Sequence, residues 1–206
     1  QTIVALGTLY NYATASTTTV VNFGNHHVGD MLSQALLVNN TGTYDGFTET
    51  LDASLGNATG AVTASGSFSG LGAQLHNGSS LRIAVASGSE GVRSGTATLT
   101  AISDGTGIDN LGTTVLAAQT IAASATLYAL AAPVLSAATL DFGAFRLGGT
   151  VPARSVTISN GSSADAFRES LGFSAHTPSA GFTLTTPASG TIVAGVFQEF
   201  KSNDAG

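Results

Sequence analysis

The chain contains no cysteine, so neither a disulfide framework nor a thiolate metal site is possible. Charge is scarce too: 9% of residues are charged against 43% apolar, which excludes disorder driven by charge and leaves a substantial core to bury. Cations are scarcest. Six Lys and Arg against twelve Asp and Glu give a net charge of −6, which repels nucleic acid and anionic lipid and removes both from the expected partners. No run approaches the roughly 20 apolar residues needed to cross a bilayer, and no basic, hydrophobic signal region opens the chain. The four prolines fit short strands joined by tight turns.

What is plentiful is glycine, at 26 residues, together with Thr, Ser and Ala, a mixture that suits short strands joined by tight turns. Such a composition, poor in lysine, is associated with secreted bacterial surface proteins. The chain also spells one frame twice. Gln1-Thr2-Ile3, Thr8-Leu9-Tyr10, Asn22-Phe23-Gly24 and Val28-Gly29 return as Gln119-Thr120-Ile121, Thr126-Leu127-Tyr128, Asp141-Phe142-Gly143 and Leu147-Gly148. A period of about 120 residues is far longer than a solenoid repeat of about 20 to 50, so each unit is expected to be a domain.

In the first copy Ile3, Ala5, Gly7 and Leu9 alternate with Val4, Leu6, Thr8 and Tyr10, as in a strand. The Ala-rich second copy suits a helix when taken alone, but Gly7 in the first costs a helix about 1 kcal/mol, so both copies read as strand. Thr17 to Phe23 follows, ended by a turn at Asn22-Phe23-Gly24-Asn25. Met31 to Val38 comes next, with a turn at Asn39-Asn40-Thr41-Gly42. Gly46 to Leu55, Thr59 to Phe68, Ser80 to Ala86 and Ser94 to Ser103 continue the series. A glycine loop, Asp104 to Gly112, leads into a long strand, Val115 to Tyr128. About seven to eight strands with turns every 8 to 12 residues match an immunoglobulin-like sandwich.

The expected fold is therefore all-β, with tandem immunoglobulin-like antiparallel β-sandwiches. Residues 1–12 are the last strand of a preceding, absent or neighbouring module, 13–130 a complete sandwich, and 131–206 an incomplete second one, joined through Ala131-Ala132-Pro133. Arg154 to Asn160 matches Gln34 to Asn40, Ala166 to Leu171 matches Gly46 to Leu51, and Ala188-Ser189-Gly190 echoes Ala64-Ser65-Gly66. Beyond that echo the match is expected to stop, with the tail Val196 to Gly206 following a different pattern.

Asn22-Phe23-Gly24 with Val28-Gly29, Ala35 to Asn40, Ser94 to Leu99, Ser103-Asp104-Gly105-Thr106-Gly107, Leu111 to Thr114 and Gln119-Thr120-Ile121 together resemble the repeat module of bacterial choice-of-anchor D proteins. Those are long secreted or surface-attached chains of Hydin-type, immunoglobulin-like sandwiches. The resemblance covers the first unit and the second to about Gly195. It implies a structural module of extracellular adhesins and matrix proteins, with no catalytic residues to carry over.

The candidate sites are few. Asp104-Gly105-Thr106-Gly107-Ile108-Asp109 resembles a glycine-rich calcium loop, with Asp104 and Asp109 as its two carboxylates; a plain glycine turn is the competing reading, and no cofactor is expected. His26 and His27 are adjacent and point to opposite faces of an extended segment, which suits solvent exposure better than a shared metal. His76 and His176 have no matched ligand spacing and read as surface residues. Asp45, Glu49 and Asp52 cluster near one turn without a basic partner, and no Gly-x-Ser-x-Gly elbow precedes a helix, so no enzyme is expected. Tyr10, Tyr12, Tyr44 and Tyr128 offer aromatic faces for a surface glycan, although the equivalent places of Tyr10 and Tyr128 favour packing at a junction. The sequons opened by Asn39, Asn57, Asn77 and Asn160 reflect turns rich in Asn, Gly, Ser and Thr.

Two readings of the opening segment stay open. Gln1 to Tyr10 is either the edge of a fragment cut from a repeat array or a strand donated to another subunit, with Ile3, Val4, Leu6, Leu9 and Tyr10 joining the subunits. Val4 and Leu6 stand where the other copy has Ala122 and Ser124, which makes the first copy apolar on both faces. The expected partners are copies of the chain itself or adjacent repeats, and the alternative function is a carbohydrate-binding module.

Overall fold

The computed structural model describes residues 1–175, 181–184 and 188–204. The described residues are all-β, with no helix, and fall into two compact units. Gln1–Gly88 with Val92–Leu127 form the first; Ser89–Gly91 with Tyr128–Gly206 form the second.

The first unit contains β1 (Ala15–Thr17), β2 (Val20–His27), β3 (Leu32–Ala35), β4 (Val38–Asn40), β5 (Thr50–Gly56), β6 (Val62–Ser65), β7 (Ser67–Leu71), β8 (His76–Asn77) and β9 (Arg82–Val85). They are followed by β10 (Gly91–Asp104), β11 (Thr113–Val115) and β12 (Gln119–Tyr128). The main sheet runs β2-β12-β10-β5-β7, with β11 added to β10; two smaller sheets run β1-β4-β8 and β3-β9-β6. Alternation explains the core. Along β10, Ala97, Leu99, Ala101 and Ser103 are buried, while Thr96, Thr98, Thr100 and Ile102 between them are only partly covered. Along β12, Ile121, Ala123, Ala125 and Leu127 are buried in the same way. They meet Leu51, Ala53 and Leu55 of β5 and Ile83 and Val85 of β9 in one cluster, and each large aliphatic side chain contributes about 1.5–3 kcal/mol by leaving water.

Gly66 lets the chain change sheets. It lies between β6, which pairs with β9, and β7, which pairs with β5. Its φ is +110°, and a Cβ there would collide with the carbonyl oxygen of Ser80.

The second unit contains β13 (Pro133–Leu135), β14 (Arg154–Asn160), β15 (Leu171–Ser174), β16 (Phe182–Leu184), β17 (Ser189–Ile192) and β18 (Phe197–Asp204). Its sheets run β13-β14-β18-β16 and β15-β17. Register shows which parts correspond. Ala15 pairs with Asn40 as Pro133 pairs with Asn160, and Leu51 pairs with Leu71 as Leu171 pairs with Ile192.

Several expectations change. Gln1 to Leu9 forms no strand and is exposed throughout, because a strand needs a neighbour to bond its edge and this segment has none among the described residues. Asn22 to Asn25 does not end its strand: β2 runs on to His27, with Gly24 at φ +80° and its N–H donated to Oδ1 of Asn22 at 2.9 Å. Asn39 and Asn40 stay in β4 because the Asn40 side chain is needed inside, as shown below. The expected Met31–Val38 strand is split into β3 and β4 at Leu36-Leu37, and Val115–Tyr128 into β11 and β12 at Leu116–Ala118.

Ala188-Ser189-Gly190 takes the place of β7 rather than echoing β6, since Ser189 and Gly190 pair with β15 as Ser67 and Phe68 pair with β5. The match also continues beyond that echo. The N–H of Gly195 donates to the Asn160 carbonyl at 3.0 Å as that of Gln74 does to Asn40 at 2.8 Å, and β18 pairs with β14 as β8 pairs with β4.

Candidate functional site

The two units begin with the same clasp. In the first, the Tyr10 ring packs on Phe47 with centroids 5.6 Å apart. Asn11 then forms a parallel bridge to Thr48: its N–H donates to the Phe47 carbonyl at 2.7 Å, and its own carbonyl accepts from the N–H of Glu49 at 2.9 Å. In the second, Tyr128 packs on Phe167 at 6.1 Å and Ala129 bridges to Arg168, with the corresponding hydrogen bonds at 2.9 and 3.0 Å. Tyr10 and Tyr128 are thus packing residues, while Tyr12 and Tyr44 stay exposed.

A buried asparagine completes each clasp. Oδ1 of Asn40 accepts the N–H groups of Thr14 and Gly42 at 3.1 Å each. Its Nδ2 donates to the carbonyls of Glu49 at 3.3 Å and Leu71 at 3.0 Å. Asn160 repeats this with Ala132, Ser162, Glu169 and Ile192. An amide is the one short side chain that offers both two donors and an acceptor to satisfy such a buried junction. Sequence reasoning took Asn40 for a turn residue and Asn160 for the start of a sequon and missed this role; their recurrence at matched positions was the available signal.

In the first unit a carboxylate reinforces the entry. Glu49 is buried, and its Oε2 accepts the Ser103 hydroxyl at 2.5 Å. The Ser103 oxygen in turn accepts the N–H of Ala13 at 2.7 Å. The acidic trio read from the sequence is therefore not a cluster in space of like roles: Asp45 accepts the N–H of Phe47 at 2.8 Å, and Asp52 that of Gly70 at 2.7 Å. In the second unit Arg168 stands where the first has Thr48, and its guanidinium reaches Asp165 at 3.1 Å and Glu90 at 2.7 Å. The Phe167 N–H and then Arg168 hold the Asp165 carboxyl below the ordinary carboxylate range.

The segment upstream of the clasp differs most between copies, a strand in the second and none in the first. Ile3 and Leu9 are 93% and 91% exposed, whereas Ile121 and Leu127, their counterparts, are 0% exposed inside the main sheet. Val4 and Leu6 are exposed as well.

Asp104 and Asp109 each bond backbone groups of their own loop. The Thr106 hydroxyl and N–H satisfy Asp104 and lower its pKa, while Oδ1 of Asp109 accepts the N–H of Leu111 at 2.8 Å. Both Asp109 and Glu49 approach Gly105: a Cβ there would collide with Oδ1 of Asp109 and stand 3.1 Å from Oε1 of Glu49. No group of three or more His, Asp or Glu side chains that could hold a metal occurs among the described residues. His26 is half-buried, with Nδ1 3.3 Å from Asp30 and Nε2 2.9 Å from the Phe23 carbonyl. His27 and His76 are exposed, and His176 lies outside the described residues.

A shallow groove in the first unit is lined by Thr43, Tyr44, Gly46, Thr48, Thr50, Gly72, Ala73, Gly107 and Ile108. No helix among the described residues is long and apolar enough to cross a membrane. Compared with known proteins, the chain matches no family model and no curated sequence.

Proposed function

We propose that the chain is a non-enzymatic structural module of an extracellular bacterial fibre, biofilm matrix or surface adhesin, built of tandem immunoglobulin-like sandwiches and joined in series by strands. The observation that carries this reading is the contrast between Ile3 and Leu9 in solvent and Ile121 and Leu127 in a sheet interior. One sequence frame is used once as a buried strand running into a clasp and once as an exposed segment, outside any strand, ahead of the same clasp. Burying Ile3 and Leu9 in a partner sheet contributes about 1.5–3 kcal/mol each, and each main-chain hydrogen bond about 0.5–1.5 kcal/mol, before the cost of ordering the segment, about 1–2 kcal/mol per residue of backbone. The apolar second face, Val4 and Leu6, adds to the favourable side. Secretion and the choice-of-anchor D resemblance belong to the same reading. The test is deletion of residues 1–9, with the assembled mass followed by light scattering and the particles by electron microscopy. Loss of assembly in the deleted chain is expected; assembly that survives the deletion overturns the reading.

A second reading, a carbohydrate-binding module, is favoured by the groove lined by Tyr44, whose ring is 84% exposed, together with Thr43 and Gly46. Sugars stack on such rings. A glycan array probed with the intact chain and with Tyr44→Ala decides it: binding lost in the variant supports the reading, and an empty array removes it.

A further inference from the structure

The buried asparagine of the second unit is followed by glycine, and an Asn–Gly pair has a chemistry of its own. The glycine nitrogen attacks Cγ of the asparagine, because no Cβ crowds the approach and the glycine backbone reaches the required conformation freely. The N–Cγ bond forms, the Cγ–Nδ2 bond breaks, and the proton of the glycine N–H leaves with Nδ2 as ammonia. Water then opens the resulting succinimide at either carbonyl, giving aspartate or isoaspartate. One water is consumed for each ammonia released, and no other reactant is needed. The chain has two such pairs, Asn77-Gly78 and Asn160-Gly161. Asn40, the counterpart of Asn160, is followed by Thr41, whose branched side chain obstructs the same attack.

Packing accounts for the difference between the units. A Cβ on Gly161 would stand 2.9 Å from Cγ2 of Val134. Val134 pairs with Ser159 as Ser16 pairs with Asn39 in the first unit. The larger residue of β13 therefore goes with glycine after the asparagine, and the smaller residue of β1 with threonine. The contact that excludes a side chain at position 161 is what makes Asn160 chemically labile.

The closed unit holds the reaction off. Asn160 is 1% exposed. Its Oδ1 accepts the N–H of Ala132 at 3.0 Å and its Nδ2 donates to the carbonyl of Glu169 at 2.9 Å, with Ser162 and Ile192 completing the set. The attacking nitrogen is engaged as well, since the N–H of Gly161 donates to the Ala132 carbonyl at 2.7 Å. Cγ and the nitrogen meet only when these bonds are given up together.

We infer that Asn160 is a deamidation site gated by the folding of the second unit: intact while the unit is closed, converted once it opens, and in its converted form a block to reclosure. Aspartate has no N–H to offer the carbonyls of Glu169 and Ile192 and turns a carboxylate oxygen on them. Isoaspartate also lengthens the backbone at the last residue of β14. The inference goes beyond the strand-joining function and does not depend on it.

The test incubates the full chain in heavy-oxygen water at mildly alkaline pH, with and without guanidinium chloride. Proteolytic peptides, Ser155–Arg168 among them, are followed by mass spectrometry for exchange of the side-chain nitrogen for labelled oxygen. In denaturant Asn160 should convert together with Asn77, while Asn40 lags by on the order of tenfold or more. Without denaturant Asn160 should stay intact. Gly161→Thr combined with Val134→Ser, which installs the first unit's residues, should make Asn160 lag with Asn40. After removal of denaturant, hydrogen exchange along β14 and β18 reads reclosure. Protection should return in chains unfolded briefly and stay lost in chains converted at Asn160. Conversion of Asn160 at the same rate with and without denaturant overturns the gate. A lag of Asn160 with Asn40 in unfolded wild-type chains overturns the lability. Protection that returns in converted chains, or fails to return in briefly unfolded and unconverted ones, overturns the block to reclosure.

Discussion

Asn40 and Asn160 make the same four hydrogen bonds at equivalent points of the two units: each accepts two backbone N–H groups with Oδ1 and donates to two carbonyls with Nδ2. Each amide ties the incoming segment, the turn after its own strand and two further backbone carbonyls into one buried knot.

Asn40→Ala leaves those backbone groups unpartnered at a buried site, which costs about 1–3 kcal/mol for each group that water does not reach. Asn40→Asp is expected to be worse at neutral pH, because it turns a carboxylate oxygen on the carbonyls of Glu49 and Leu71. Urea denaturation of both variants measures this, and Asn160→Ala should lower the stability of the second unit in the same direction. Wild-type midpoints in Asn40→Ala would contradict the knot.

Ser103→Ala removes the hydroxyl that donates to Glu49 and accepts from Ala13. A buried carboxylate oxygen and a backbone N–H are then unsatisfied together, so the expected loss is about 2–5 kcal/mol. Glu49→Gln on the Ser103→Ala background should recover part of it by removing the buried charge. Thermal denaturation of the single and double variants checks the order.

Gly66→Ala should destabilise by about 2 kcal/mol or more, because alanine is strained at a φ of +110° and its methyl meets the Ser80 carbonyl. Gly107→Ala is the comparison: Gly107 also has a positive φ, but no atom stands within 4 Å of its added Cβ, so only the backbone strain remains. Equal losses in the two variants would show that the close approach at Gly66 is immaterial.

Acid weakens the fold in a defined direction. Asp30, Asp104 and Asp165 all have carboxyl pKa values lowered by hydrogen bonds, led by the N–H of His27, the Thr106 hydroxyl and the N–H of Phe167 respectively. A group with a depressed folded pKa contributes stability that is present above its unfolded pKa, about 3.9 for Asp. That contribution is lost as pH falls through the folded value. Stability should therefore decline below about pH 4, and Asp165→Asn should flatten the decline for the second unit. A slope unchanged by Asp165→Asn would show that its carboxylate is as well solvated unfolded as folded.

Much of the β pattern was legible. β9, β10 and β12 fall close to where alternation and turn residues place them, because their inward positions are small or aliphatic at a strict period of two, and β14 falls where its match to Gln34–Asn40 places it. The misplaced ends have local causes: Asn22 and Gly24 satisfy each other without leaving β2, and Asn39 and Asn40 look like a turn because asparagine usually serves its own backbone. Asn40 does bond its own turn at Gly42, but it also serves backbone groups of Thr14, Glu49 and Leu71, farther along the chain. The approach of Glu49 and Asp109 to the same glycine, Gly105, was illegible for the same reason, since the residues lie on separate elements and nothing in the local pattern of either points to the other.

The sequence by itself determined that Gln1–Leu9 and Gln119–Leu127 are versions of one strand, because alternation and repeat position are properties of the residues alone. Only the tertiary structure decided that the second version is buried between β2 and β10 while the first is bare. A strand is completed by hydrogen-bond partners and a covering layer, and those are supplied by residues elsewhere, or by another chain.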